Sequence, residues 1–320
     1  MSITGTETLS NKKKRIAIAG IGGVGGYYGG LLARLAEKRT DIEVVFISRN
    51  ANLKKIQEAG LKVIAESETF ITHPAITTDN ASETGEVEYI LLATKSYDLA
   101  ETAEQIRPMV GKNTIILPLL NGIDNTSRLR AIFPDNEIWY GCAYIVARLN
   151  EPGVVESSGG VHYFHYGHEK KTSPELLFFE QVLLEAGIEA SRKEEIIKAI
   201  WRKFFYISPT ATLTSFLNTG FRDLVWDDDK KPVYVAMMQE LLAISKAEGV
   251  ELYENIIDDM LKYGGSLPAG TTSSMNTDFL SGRKTELETL TGSVVALGHK
   301  HGIPVPEYER AYECLKSRKN

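Results

Sequence analysis

The chain holds only two cysteines in 320 residues, Cys142 and Cys314, far apart and in unrelated contexts. That excludes a disulfide framework and a thiolate metal site, and it suits a reducing cytosol. Basic charge is scarce as well: 36 Lys and Arg against 42 Asp and Glu leave a formal net charge of −6. Without a basic surplus to neutralise phosphates, neither nucleic acid nor an anionic membrane is the expected partner. An anionic small molecule would have to meet locally placed cations instead. No apolar run approaches the roughly 18 residues that span a membrane. The N-terminal MSITGTETLSNKKKR lacks the apolar stretch of a signal peptide. Residues 1–14 therefore read as a disordered leader on a soluble, cytoplasmic protein. No G-x-S-x-G nucleophile turn is present either.

What the chain does have is a composition, 43% hydrophobic and 24% charged, that can fill two ordinary globular cores. Its most informative stretch is Arg15–Gly30, RIAIAGIGGVGGYYGG. A short apolar run meets Gly20, Gly22 and Gly25, spaced G-x-G-x-x-G, and a helical apolar pattern follows. In a dinucleotide-binding turn the first glycine allows the bend, the second lets backbone approach a pyrophosphate, and the third lets helix and strand pack. The helix that follows offers free N–H groups and the positive end of its dipole to phosphates. Gly20, Ile21, Gly22, Gly23, Val24 and Gly25 are accordingly the candidate phosphate loop.

Strand-like and helix-like segments alternate through the first half, as a parallel sheet requires. Extended segments are expected at 43–48, 61–65, 70–72, 87–94, 114–117, 138–146, 154–156 and 161–166. Helices are expected at 50–59 and 97–106, and another begins at Ser173-Pro174 with a capping serine and a first-position proline. From about residue 195 the pattern is helical, with segments at 195–217, 231–248, 254–262, 271–280, 285–299 and 306–317. The expected fold class is α/β: a Rossmann-type doubly wound sheet over residues 15–190, followed by an all-α domain over 191–320. Substrate would bind in the cleft between them. The apolar helical domain leaves room for a homodimer.

Three strand ends carry candidate chemistry. The second strand exits as Phe46-Ile47-Ser48-Arg49, without the acid that grips a ribose 2′-hydroxyl in NAD-selective proteins. A hydroxyl and a guanidinium suit a 2′-phosphate, so Ser48 and Arg49 point to NADP. The bland alternative is a solvated arginine at a strand exit. Lys95 and Asn121 follow the next two strands, where ligands of such sheets bind. By spacing alone, each is equally well a solvated loop residue.

The segments GIGGVGG, ATKSYDL, LPLLNGID, AIWRKFF, SSMNTDFLSGRKTELETLTG and HGIPVP, in this order, resemble the ketopantoate reductases. GCAYIVARLNEPGVV adds to the resemblance and brings Ala147 among the expected cofactor contacts. The resemblance implies NADP-dependent reduction of a 2-oxo acid, 2-dehydropantoate, to pantoate. It makes Lys203 the general acid and Glu286 a catalytic carboxylate. Asn121 and Ser274 join these two as substrate contacts, with Lys95 and Asn121 also at the cofactor. The chemistry suits these types, because a ketone taking up hydride becomes an alkoxide that needs a proton and a nearby cation. Lys203 stands among Trp201, Phe204, Phe205 and Tyr206, where burial would lower its pKa.

One departure matters. The family's asparagines four and eight residues after the lysine are Ile207 and Ala211 here. Ser208, Thr210 or Thr212 would have to substitute, and Pro209 is expected to kink the helix. Another branched 2-oxo or β-hydroxy acid, or a non-catalytic NADP sensor, is the rival reading. His162, His165 and His168 alternate across a strand and cannot converge, so no metal is expected. Asp227-Asp228-Asp229 reads as a loop capping the next helix.

Overall fold

The computed structural model describes residues 13–168 and 173–318. Most of the expected leader, 1–12, lies outside the described residues, and the first strand already starts at Lys14. Six parallel strands form the main sheet: β1 (Lys14–Ala19), β2 (Ile42–Ile47), β5 (Ile76–Thr78), β6 (Val87–Leu92), β7 (Val110–Pro118) and β8 (Glu137–Ile138). Their order is β5-β2-β1-β6-β7-β8, so the chain winds outward from β1 in one direction and then restarts at β6 in the other. A crevice opens at the carboxyl ends of β1 and β6, where the winding reverses. Along β1, Ile16 and Ile18 face one core and Ala17 and Ala19 the opposite one. Both faces are buried, which is why these strands read as continuous apolar runs.

The remaining strands form a second sheet that the sequence reading had not separated from the first. It contains β3 (Leu61–Ile64), β4 (Thr69–Thr72), β9 (Tyr140–Glu151), β10 (Val154–Gly167) and β11 (Ala190–Arg192). Helix α1 (Gly23–Ala36) is pressed between the two sheets. A Cβ at Gly29 would stand 3.0 Å from Ile18, whereas one at Gly26 or Gly30 would stand 2.4 or 2.5 Å from Val155 or Val63. The glycine-rich face is thus the condition for both sheets to approach one helix. Strand β10 runs unbroken where two strands were expected. Its pairing slips between Ser158 and His162, and Gly159 and Gly160 there adopt φ of +81° and +64°. Two left-handed residues make a bulge rather than a chain break.

On the far face of the main sheet lie α3 (Leu99–Ile106) and α4 (Asn125–Ile132), while α2 (Asn50–Ala59) joins β2 to β3. Sequence periodicity missed α4, which buries only Asn125, Thr126 and Leu129. Helix α5 (Pro174–Glu185) begins as expected, Ser173 Oγ accepting the Leu176 N–H at 3.2 Å.

The second domain is helical: α6 (Ile196–Leu217), α7 (Asp223–Trp226), α8 (Lys230–Ala247), α9 (Ile256–Ser266), α10 (Ser274–Leu280), α11 (Ser293–His301) and α12 (Pro306–Ser317). Helix α6 is central, packing on α8, α10 and α12, and it stays one helix through Pro209. The segment expected at 285–299 enters through a π turn, Glu288–Gly292, before α11. The Asp227 carboxylate accepts from the Asp229 and Lys230 N–H groups and so opens α8. His162 packs on Tyr27 and His168 on Trp139, with His165 against Tyr144.

The glycine packing yields a direct test. A Cβ at Gly25 would stand 2.0 Å from the Gly20 carbonyl oxygen, a backbone atom that cannot rotate away, whereas at Gly22 nothing lies within 4 Å. Gly25→Ala should lower the melting temperature by the equivalent of about 1–3 kcal/mol of overpacking. Gly22→Ala should melt like the parent. Equal melting curves for the three proteins would contradict the packing.

Candidate functional site

The phosphate loop leaves β1 at Gly20, whose φ of +95° only glycine adopts readily. A Cβ there would lie 2.5 Å from Thr94 Cγ2 in the loop after β6. Gly22 caps α1 without a side-chain hydrogen bond, and the first turn carries no acid. The amide end of a 14-residue helix therefore faces open space, which fits a diphosphate. Gly23 brings Ala147 over the same end, its Cβ position only 2.1 Å from the Ala147 carbonyl oxygen. Val24 turns into the core instead.

Asn52, which sequence reasoning missed, organises this corner. Its Nδ2 donates to the Ile21 carbonyl at 2.9 Å and to Ser48 Oγ at 3.0 Å. Its Oδ1 accepts the Gly153 N–H at 2.8 Å. Its signal was its position, one helical turn beyond Ser48. Ser48 is buried at the end of β2, and Arg49 is exposed and paired with Glu101 at 2.8 Å. Neither residue after β2 is an acid, and the carboxylate that engages Arg49, Glu101, comes from α3.

Lys95 and Asn121 each lie three residues past the end of a strand, and those ends, Leu92 and Pro118, are register partners. The two side chains are therefore delivered side by side at the carboxyl edge. The helical domain meets them with Lys203 on α6 and with Glu286 just before the π turn. Lys203 Nζ donates to Asn121 Oδ1 at 2.8 Å, and Asn121 Nδ2 donates to Glu286 Oε2 at 3.2 Å. Lys95 Nζ stands 3.3 Å from Asp278 and 3.6 Å from Glu286. Asp278, also missed, is further held by Arg283 at 2.8 Å.

Burial pushes the Lys203 ammonium below its ordinary pKa, against the smaller pull of Cys142 and Glu286. Burial also acts on Lys95, but Glu286 and Asp278 together outweigh it and hold that lysine above its usual value. A buried, acid-shifted lysine thus stands beside a cation locked in its charged form. Three cationic side chains, Lys95, Lys203 and Arg283, thus gather around the two carboxylates of Glu286 and Asp278.

Ser274 is exposed in the first turn of α10 and forms no hydrogen bond with Lys203, Asn121 or Glu286; its neighbour Ser273 caps the helix and bonds Thr214. Nor do the hydroxyls of α6 substitute for the absent asparagines. Ser208 bonds the Leu290 carbonyl and Tyr308, Thr210 bonds Tyr234, and Thr212 bonds Thr291. Ile207 and Ala211 pack with the helical core.

Profiles described as ketopantoate reductase PanE/ApbA and its C-terminal region match residues 16–170 and 195–319. The chain belongs to the ketopantoate reductase family. It is similar to the crystal structure of 2-dehydropantoate 2-reductase from Porphyromonas gingivalis W83, with 33% identity and a TM-score of 0.84 over 95% of this chain and 100% of that one. A 2-dehydropantoate 2-reductase of Mesorhizobium japonicum is 26% identical over 94% of this chain and 97% of its own length. The fold is also that of D-mandelate dehydrogenase in its ternary structure with NADH and anilino(oxo)acetate, at 23% identity and a TM-score of 0.81 over 95% and 98% of the two chains. This ketopantoate reductase family member is therefore a pyridine-nucleotide oxidoreductase acting on a small molecule. Among the described residues no helix is long and apolar enough to cross a membrane.

The depressed pKa of Lys203 has a definite sign in stability. The folded state disfavours the charged form, so the contribution of this lysine is fully favourable only above about 10.4, the unfolded value. It is lost as pH falls through the lower folded value. Lys203→Met should therefore gain in melting temperature relative to the parent as pH drops from the lysine range toward neutrality. A difference that shrinks toward neutral pH would contradict the burial of a charged lysine.

Proposed function

We infer that this protein is a cytoplasmic enzyme that reduces 2-dehydropantoate to pantoate with NADPH, a step toward pantothenate. Residues 15–190 are the cofactor domain and 191–320 the helical catalytic domain. The observation that carries the reading is the buried Lys203 ammonium, held on Asn121 beside Glu286 at the carboxyl edge of a sheet with an open glycine loop.

NADPH bound along that loop supplies a hydride to the keto carbon. The chain's own residues do the rest. The α1 amides of Gly22 to Gly25 take the diphosphate, with Ile21 and Ala147 walling it, and Ser48 and Arg49 take the 2′-phosphate. Lys203 donates its proton to the oxygen that becomes an alkoxide, and its lowered pKa eases the transfer. Asn121 keeps that ammonium aimed. Glu286 accepts from a substrate hydroxyl, and Lys95 holds its charge in place. Ser274, exposed at the rim on α10, reaches the substrate only when the helical domain closes.

Ile207 and Ala211 favour a second reading, reduction of a branched 2-oxo acid with fewer polar groups. A hydrogen-bonding pocket discriminates strongly between close analogues, and at these two positions α6 carries no amide for a polar substrate, Ile207 and Ala211 packing with the helical core. NADPH oxidation followed spectrophotometrically with a panel of 2-oxo acids decides. Activity on 2-dehydropantoate supports the first reading, activity only on others supports the second, and binding of NADPH without turnover overturns both.

Two substitutions extend the test. Lys203→Ala should lower kcat by about 10²–10⁴-fold, the usual contribution of a general acid, with NADPH affinity unchanged. An undiminished rate removes Lys203 from the mechanism. Arg49→Ala should weaken NADPH binding about tenfold or more, as expected for a charged hydrogen bond, and leave NADH binding unaltered. Equal losses for the two nucleotides would show that Arg49 does not read the 2′-position.

A further inference from the structure

The Glu286 carboxylate is held at both oxygens. Oε2 faces Asn121 and Lys95, while Oε1 accepts from Ser96 Oγ at 3.0 Å. Ser96 is fully buried, and its hydroxyl has a second neighbour, Thr289 Oγ1, at 2.7 Å. The proton directions follow from chemistry. An ionised carboxylate only accepts, so the Ser96 hydrogen points to Glu286, and Thr289 must donate to Ser96.

Thr289 is also in contact on its other side. A Cβ at Gly122, where φ is +111°, would stand 2.7 Å from Thr289 Cγ2. One threonine thus touches the residue after Lys95 with its hydroxyl and the residue after Asn121 with its methyl. It does so from the widened turn Glu288–Gly292, only three residues beyond Glu286. Such turns are uncommon and recur at functional sites. The helical domain therefore meets both cation- and amide-bearing loops through a single side chain.

We propose that Ser96 and Thr289 are positioning residues, a two-hydroxyl relay that fixes the Glu286 carboxylate toward the substrate and ties it to the loops of Lys95 and Asn121. This rests on the proposed function in one respect, that Glu286 meets substrate. The relay acts on Glu286 and touches neither substrate nor cofactor.

The test compares Ser96→Ala, Thr289→Val, Thr289→Ser and the Ser96→Ala/Thr289→Val double with the parent. Each is measured for kcat, KM of the 2-oxo acid, NADPH affinity by fluorescence, and melting temperature. Ser96→Ala and Thr289→Val should each lower kcat/KM about tenfold or more, the scale of a hydrogen bond to a charged group. NADPH affinity should not change. Thr289→Ser keeps the hydroxyl and should restore most of the activity, and the double variant should be no worse than Ser96→Ala, because the two act as one unit. Parental kcat/KM in Thr289→Val overturns the relay. So do a Thr289→Ser as impaired as Thr289→Val and a double loss equal to the product of the single ones. If the parent reduces no 2-oxo acid, the proposed function fails on its own. Melting of Ser96→Ala, Glu286→Ala and their double then decides the relay: dependent losses keep it and additive losses remove it.

Discussion

An ammonium group buried at the junction of two domains is the constraint on which the remaining geometry depends. Left alone there, Lys203 would cost several kcal/mol in lost hydration. Asn121 meets that cost with one amide group. Its oxygen accepts from Lys203 and its nitrogen donates to Glu286, so a neutral side chain of the main sheet stands between opposite charges of the helical domain. The charges also settle which end of the amide is which, since an oxygen toward Glu286 would set acceptor against acceptor. Exchanging either charge for its opposite would leave the amide able to keep only one of the two bonds.

The burial of Lys203 traces back to small residues far from it in sequence. Gly26 and Gly30 let the second sheet settle on α1, and that sheet carries β9 past the carboxyl edge. Strand β9 then presents Cys142 and Tyr144 to α6, with Lys203 5.8 Å from the Tyr144 ring centre. Burial at that junction is what depresses the lysine, while Cys142 on the same wall pulls weakly the other way. Glycine spacing on one helix thereby reaches the acidity of a group on another domain. Lys95 sits at the same edge but half exposed and against two carboxylates, and it is driven the opposite way.

Much of this was legible in sequence, for identifiable reasons. The phosphate loop, the strand ends at Lys95 and Asn121, and a helix at 195–217 all carry local signals: spaced glycines, apolar runs and periodicity. The observed α6 differs from the expected helix by one residue. Lys203 and Glu286 needed the resemblance, because an Arg-Lys pair on a helix looks like solvated charge. Asn52, Ser96, Asp278 and Thr289 were missed because each acts through a partner 101 to 193 residues away or through a loop carbonyl, which no periodicity encodes. The division into two sheets was also hidden, because β3 pairs with β10 across some ninety positions of chain.

Helix α6 shows why the cleft has the polarity it has. Its hydroxyls at Ser208, Thr210 and Thr212 are all engaged inside the helical domain, to Tyr308, Tyr234 and Thr291. Those bonds matter because Pro209 removes a backbone N–H from the middle of the helix, and side-chain links to α8, α12 and the π turn tie that turn into the domain. A rigid α6 is what places Lys203 at hydrogen-bond distance from Asn121, across a domain boundary. Ile207 and Ala211, one and two turns beyond Lys203, offer no polar side chain and pack with the helical core. The polar groups that meet at the cleft therefore come from the loops after β6 and β7, from Glu286 and Asp278, and from Lys203 alone on α6.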